Sequence, residues 1–328
     1  MPVQITIIGL GQLGASVGLA LGSRGNDIHR VGHDINPEIA KKAQKIGAVD
    51  DVKHNLPAAV RGANIVLLSL PVNEIRATLE VIAPDLPAGA VVMDTSPIQS
   101  AVAEWAQELL PEGRYYVGLV PAINPIYLHR IDLGVDAAQE DLFDDGVVVV
   151  GTLPGVPGEA VKLATDLINT LGAMPFFADM AETDGLMAST HIVPQLVAAA
   201  LLNALVDQPG WVEARKLAGR PFAALTSALA YQDEVHSLGE GALLNSENVA
   251  RVLDVVIGSL QGLRDDIANG NREEVSERLE LALDGRRRWL GERLQGEWSN
   301  EMRNPELDRY PSFMERLFGS RKRSKPGN

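Results

Sequence analysis

Along residues 1–178, short β-branched apolar runs alternate with longer stretches in which apolar residues recur every three or four positions, the pattern of strands joined by crossover helices. The runs predict strands near residues 3–9, 28–34, 64–70, 90–94, 115–119, 147–151 and 174–178. Helices are predicted between them, over about 12–23, 37–46, 73–82, 97–110 and 157–171. Ser96-Pro97 reads as an N-cap followed by proline at the first helical position, and Gly172 as the stop of the 157–171 helix. Such alternation builds a doubly wound parallel sheet with helices on both faces.

After residue 179 the β-branched runs stop and long helical patterns take over. Residues 179–206 read as one helix, entered through Asp179, Glu182 and Asp184, whose charge suits the positive end of the helix dipole. Further helices are expected at 211–218, 221–236, 246–269 and 272–294. The change of period divides the chain into an α/β domain over 1–178 and an all-helical domain over 179–310, followed by a tail over 311–328. Within that tail Ser320 to Asn328 carries Arg321, Lys322, Arg323 and Lys325 and no acid, and is expected to be disordered.

Composition narrows the classes. With 328 residues, 46% hydrophobic and 22% charged, the chain can bury a sizeable core as a soluble globular protein. It has no cysteine, which excludes disulfide scaffolds, thiolate metal sites and cysteine nucleophiles. A formal charge of -14 argues against a general nucleic-acid binder. Both halves share that acidity, with 11 basic against 20 acidic side chains in residues 1–178 and 14 against 23 in residues 179–320. No basic leader precedes Val3–Ile8. The longest apolar region, Ile192–Val206, is interrupted by Gln195 and Asn203. It falls short of the roughly 20 residues a bilayer crossing needs. The expected location is the cytoplasm, with no membrane or nucleic-acid partner.

Candidate chemistry begins with Gly9-Leu10-Gly11-Gln12-Leu13-Gly14, a G-x-G-x-x-G placed directly after the first strand and before the first helix. The first glycine permits the tight turn, the second lets backbone approach a diphosphate, and the third lets helix and strand pack closely. Free amides at the helix N-terminus would then hold the diphosphate. Asp34 ends the second strand, where an acid bonds the adenosine ribose hydroxyls and repels a 2′-phosphate, so NAD is the expected cofactor rather than NADP. Ser69, Leu70 and Pro71 end the strand near 64–70, where loop backbone would line the cofactor cleft. Residues 1–178 are thus expected to form a Rossmann-type NAD-binding domain, with catalysis between it and the helical domain. None of the six histidines has metal-ligand spacing, and no metal is expected.

The glycine loop and Asp34, then Val66–Pro71, Asp94-Thr95-Ser96, Gly118-Leu119-Val120-Pro121, Asp141-Leu142-Phe143 and His191-Ile192-Val193-Pro194-Gln195, together resemble the prephenate and arogenate dehydrogenase family. The resemblance covers nearly the whole chain. It implies NAD-linked oxidative decarboxylation of a cyclohexadienyl substrate in tyrosine biosynthesis, by a homodimer joined through the helical domain. The chain departs from the family pattern at three places. Valine (Val120) stands where the family's catalytic histidine is usual, Gln99 where a lysine is usual, and Thr226-Ser227 where a substrate-binding arginine is expected.

Replacement groups follow from residue type. His191 and Gln195 lie one helical turn apart and share a face, so histidine could take the hydroxyl proton and glutamine could orient the substrate or the nicotinamide amide. Ser96 and Asn124 complete the catalytic candidates, with His129, Arg130 and Arg220 as further polar groups. Two other readings stay open: an NAD-linked dehydrogenase acting on a less anionic substrate, and a catalytically silent NAD-binding sensor or partner protein.

Overall fold

The computed structural model describes residues 3–24, 27–231, 235–296 and 298. The expected tail at 311–328, with its basic stretch, lies outside the described residues. The first half is an eight-stranded sheet in the order β3-β2-β1-β4-β5-β6-β7-β8. Its strands are β1 (Val3–Ile8), β2 (Ile28–His33), β3 (Asp51–Val52), β4 (Ile65–Leu68), β5 (Val91–Asp94), β6 (Tyr115–Ala122), β7 (Val147–Thr152) and β8 (Met174–Phe177). Helices α1 (Gln12–Arg24), α2 (Pro37–Lys45) and α6 (Gly158–Thr170) contribute to one buried apolar cluster, while α4 (Val72–Ile82) and α5 (Gln99–Leu109) contribute to the other. The strand order reverses between β1 and β4, so the loops after these two strands flank a crevice at their carboxyl ends.

The sheet departs from the all-parallel expectation at one pair. β7 runs antiparallel to β6, with Val117 opposite Thr152 and Ala122 opposite Val147. Residues 123–146 contain only short 3-10 turns (Pro125–Tyr127 and Val135–Ala137) and no α-helical crossover, so the chain returns in the opposite direction. Two small elements escape the sequence pattern. Edge strand β3 is two residues long, and α3 (Leu56–Val60) is a single turn whose cap, Asn55, accepts a bond from the Ala58 amide at 3.0 Å. Gly172 does stop α6, at φ +85°. The Ser96-Pro97 start is one turn element too early: α5 begins at Gln99, and Ser96 Oγ accepts the Ile98 amide at 3.1 Å in a local turn.

The helical half opens with Asp179, whose carboxylate accepts the Ala181 amide at 2.8 Å as the N-cap of α7 (Met180–Met187). The expected single helix over 179–206 is continuous but not uniform. A π-turn over Ala188–Ile192, in which the Val193 amide bonds the Ala188 carbonyl, separates α7 from α8 (Val193–Val206). Pro194 has no amide to offer and its ring crowds the preceding turn, a local reason for the widened helix. Together Met180–Val206 is 27 residues long, long and apolar enough by length and composition to span a bilayer, contrary to the reading of Ile192–Val206 alone. Its first part lies on the sheet half, with Met180, Ala188 and Ile192 in the core and Asp184 buried, while α8 packs among the other helices.

α9 (Trp211–Leu217) and α10 (Arg220–Thr226) follow, then a 3-10 turn over Ser227–Tyr231 and α11 (Val235–Leu244). The helix expected over 221–236 therefore ends at Thr226. Thr226 Oγ1 and Ser227 Oγ bond back to the carbonyls of Phe222 and Ala224, each at 2.8 Å, where the helix tightens. α11 is hidden in the sequence by Gly239 and Gly241, poor helix formers. The long pair α12 (Ser246–Asn269) and α13 (Arg272–Gln295) completes the described chain, and α13 has no buried residue.

Candidate active site

The G-x-G-x-x-G segment forms the turn its spacing predicts. Gly9 sits at φ +89°, and a Cβ there would run into the Ser69 carbonyl. A Cβ at Gly14 would run into the Gly9 carbonyl, so this glycine is what lets α1 pack against the turn. Gly11 differs: no atom lies within 4 Å of where its Cβ would be, and this is the open face a diphosphate needs. The first helical bond runs from the Ala15 amide to the Gly11 carbonyl at 3.0 Å, and the amides of the first turn precede it. Leu10 cannot offer a side chain to a ligand, because it is fully buried in the core and its amide bonds Asp34 Oδ2 at 2.9 Å. Asp34 Oδ1 accepts the Asn36 amide at 2.8 Å, so the carboxylate is fixed at the rim of the turn with lone pairs to spare.

A cleft of about 330 Å³ opens beside this turn. Gly11, Gln12 and Leu13, then Ser69, Leu70 and Pro71, line one side. Thr95, Ser96, Val120 and Pro121 come from the ends of β5 and β6. The helical half closes it with Met187, His191, Ile192, Ser237 and Gly241. Apart from His191, no described residue lining this cleft is ionisable.

His191 reaches the cleft from the π-turn, and burial pushes its pKa below the ordinary 6.5, so it is a neutral imidazole at neutral pH. Among the described residues its ring has no hydrogen-bond partner. Ser96 also faces the cleft; its hydroxyl accepts from the Ile98 amide and keeps its own proton for donation.

Gln195 and Asn124 do not meet the expectation of ligand-facing groups. Gln195 is buried, and its Nε2 donates to the His191 carbonyl at 2.8 Å, a group that the irregular helix leaves available. One turn of spacing puts the two residues on a common face, but the widened turn aims one into the cleft and the other into the helix packing. Asn124 Oδ1 caps the 3-10 turn through the Ile126 amide at 3.1 Å, and its Nδ2 holds the Asp141 carbonyl at 3.2 Å. It is absent from the cleft wall, as are His129, Arg130 and Arg220. Arg130 is paired with Asp132 at 2.9 Å and lies over the Tyr127 ring. Val120 does line the cleft, whereas Gln99 and Ser227 do not.

Gln99 sits behind the wall, wedged by its amide against Gly118 and Gly151, with Nε2 on the Ser96 carbonyl at 3.2 Å. Beneath it Asp94 is fully buried, bonded to the Tyr116 hydroxyl at 2.5 Å and the Ser96 amide at 2.8 Å. Burial, opposed by these two bonds and reinforced by nearby Asp184, pushes its carboxyl up to about 7. Sequence reading missed Ser237, Gly241 and Met187 as cleft residues. The only available signal was the helical spacing of Ser237 and Gly241, which place a small face one turn apart on α11.

Residues 17–175 match the family model described as prephenate dehydrogenase, nucleotide-binding domain. The match lies within the sheet half of the chain and covers a little under half of its length. It is 28% identical over 206 residues to a prephenate dehydrogenase of Bacillus subtilis, covering 62% of this chain but only 54% of that relative. It is 25% identical over 276 residues to a cyclohexadienyl dehydrogenase of Zymomonas mobilis, covering 84% of this chain and 92% of that one. The fold is shared with a prephenate dehydrogenase from A. aeolicus in complex with hydroxyphenyl propionate and NAD+, at a TM-score of 0.77 and 22% identity over 88% of this chain and 98% of that one. A Synechocystis arogenate dehydrogenase superposes with a TM-score of 0.69 at 24% identity, over 88% of this chain and all of the other.

Proposed function

We propose that the protein is an NAD-dependent dehydrogenase that oxidatively decarboxylates a cyclohexadienyl acid of the prephenate or arogenate kind, a step toward tyrosine. The observation that carries the proposal is a neutral imidazole, His191, with no hydrogen-bond partner among the described residues, on one wall of a cleft whose other wall is the open glycine turn. The relatives named prephenate and cyclohexadienyl dehydrogenase support the same reading.

A bound nicotinamide dinucleotide would supply the hydride acceptor. Gly11 and the amides of the first turn of α1 would hold its diphosphate, and Asp34 its adenosine ribose hydroxyls. Ser69, Leu70 and Pro71 line the same side. His191 Nε2 or Nδ1 takes the proton of the ring hydroxyl as the carbon-bound hydrogen leaves with its electron pair. The resulting carbonyl is conjugated with the ring double bonds that flank the carbon bearing the departing carboxylate. That carbon–carbon bond breaks, carbon dioxide leaves, the electron pair enters the ring, and the ring oxygen recovers its proton from His191. Ser96 donates to a substrate oxygen. The uncharged lining favours a step that turns a carboxylate into neutral carbon dioxide.

The protein would act in the cytoplasm as a homodimer. Val255, Leu260 and Ile267 on α12 and Leu281 and Trp289 on α13 are more than half exposed, apolar surface that a second copy would cover. The test is NADH formation, followed by absorbance, with NAD and prephenate and then arogenate. Turnover with one of them is expected. Binding of NADH without turnover of either would overturn the catalytic part.

A further inference from the structure

The two walls of the cleft belong to different halves of the chain, so its width depends on what ties them. We propose that Asp184 is that tie, a positioning residue that sets His191 against the strand end carrying Ser96. Asp184 lies on α7 and is 5% exposed. Its Oδ1 accepts the Gln99 amide at 2.7 Å and its Oδ2 the Ser100 amide at 3.1 Å.

These are the first two amides of α5, whose own N-cap position is Ile98, a residue with no side-chain acceptor. The helix start therefore takes its cap from a carboxylate 85 residues away, on the other half of the chain. Two bonds from one carboxylate to a dipole's positive end fix direction as well as distance. The same residue's carbonyl accepts Asn245 Nδ2 at 2.7 Å, and Asn245 Oδ1 accepts Asn248 Nδ2 at 2.9 Å, which binds the start of α12 to the junction.

Asp184 stands seven residues before His191 on one continuous helical run, and Gln99 three residues after Ser96 on the other side. A shift at the junction is thus passed on to both cleft walls. This inference rests on the proposed dehydrogenase reading for its kinetic arm alone.

The absence of cysteine allows spin labels at two introduced cysteines, Lys41→Cys on α2 and Lys216→Cys on α9, both exposed. Labelled chains diluted into unlabelled ones report distances within one chain. In the wild-type background the distribution should be narrow. Asp184→Ala should broaden it, leave NADH affinity from fluorescence titration within about twofold, and lower kcat about 100-fold, because misplacement of roughly 1 Å costs that much. Asp184→Asn, which keeps one acceptor oxygen, should recover at least about a tenth of the lost rate.

A narrow distribution in Asp184→Ala overturns the proposal, as does a kcat equal to wild type. If Asp184→Ala does not fold, Asp184→Asn and Asn245→Ala carry the test, each expected to broaden the distribution and each overturning the proposal if it does not. Absence of turnover in the wild type would strike the dehydrogenase reading, and the distance measurement would then decide the role of Asp184 by itself.

Discussion

The glycine turn and the π-turn face each other across one cleft, yet they are built by different means. At the glycine turn the backbone is held by contacts within the sheet half: Gly9 against Ser69, Gly14 against Gly9, and the Leu10 amide on Asp34. At the π-turn the widened helix bearing His191 depends on Pro194, on Gln195 bonding back to the His191 carbonyl, and on Asp184 anchored to α5. The first wall is stabilised by a saturated core, with Ile5, Ile7 and Leu10 wholly buried. The second belongs to a half whose longest helices leave apolar residues exposed. A ligand site can therefore be rigid on one side, and set on the other by contacts between the two halves of the chain.

The comparison is broken most severely at the first wall. Gly9→Ala forces a left-handed residue and a Cβ into the Ser69 carbonyl, and should cost about 3 kcal/mol or more in denaturant unfolding. Gly11→Val meets open space, so the fold should keep its stability while dinucleotide affinity falls on the order of 100-fold, or about 2.7 kcal/mol. Equal loss of stability in the two variants would contradict the division of labour between these glycines.

At the second wall, His191→Ala should lower kcat by about 10² to 10⁴ while NADH still binds, measured by steady-state kinetics and fluorescence titration. Retained turnover would remove His191 from the mechanism. In the wild type the acid limb of kcat/KM should fall below the ordinary histidine value of 6.5, because burial lowers the pKa and activity needs the neutral ring.

A smaller effect separates the buried floor from both walls. Asp94 titrates near 7 when folded and near 3.8 when unfolded, so its proton favours the folded state. That contribution is complete below the unfolded value and is lost as pH rises toward about 7. It amounts to a few kcal/mol at most, since a tenfold difference in proton affinity between the two states is worth about 1.4 kcal/mol. Urea unfolding as a function of pH should show the decline, and Asp94→Asn should flatten it. The smallest effect is at the rim: Asp34→Ser should relax discrimination against NADP by about tenfold in paired titrations, and an unchanged preference would refute the ribose contact.

Much of the sheet half was legible because its signals are local. Seven strands and the glycine turn follow from β-branched runs and from glycines at fixed offsets, both of which act within a few residues. The antiparallel return of β7 was not legible, since the direction of a strand depends on the connection before it, and residues 123–146 carry no helical period. Helical spacing selected His191 and Gln195 together, but Gln195 Nε2 donates to the His191 carbonyl, and its Oε1 is buried with no partner among the described residues. Asn124 has the residue type of a ligand-facing polar group and is instead the cap of a short turn.

By itself the sequence determined the dinucleotide turn, the alternation of the seven longer strands with helices, the absence of cysteine and the valine at position 120, because each is a matter of residue type and short-range spacing. Only the tertiary structure decided which side chains meet. His191 faces Ser96 across the cleft, and Asp184 caps a helix 85 residues earlier in the chain. Such meetings are set by how two packed halves lie against each other, and no periodicity within either half encodes that placement.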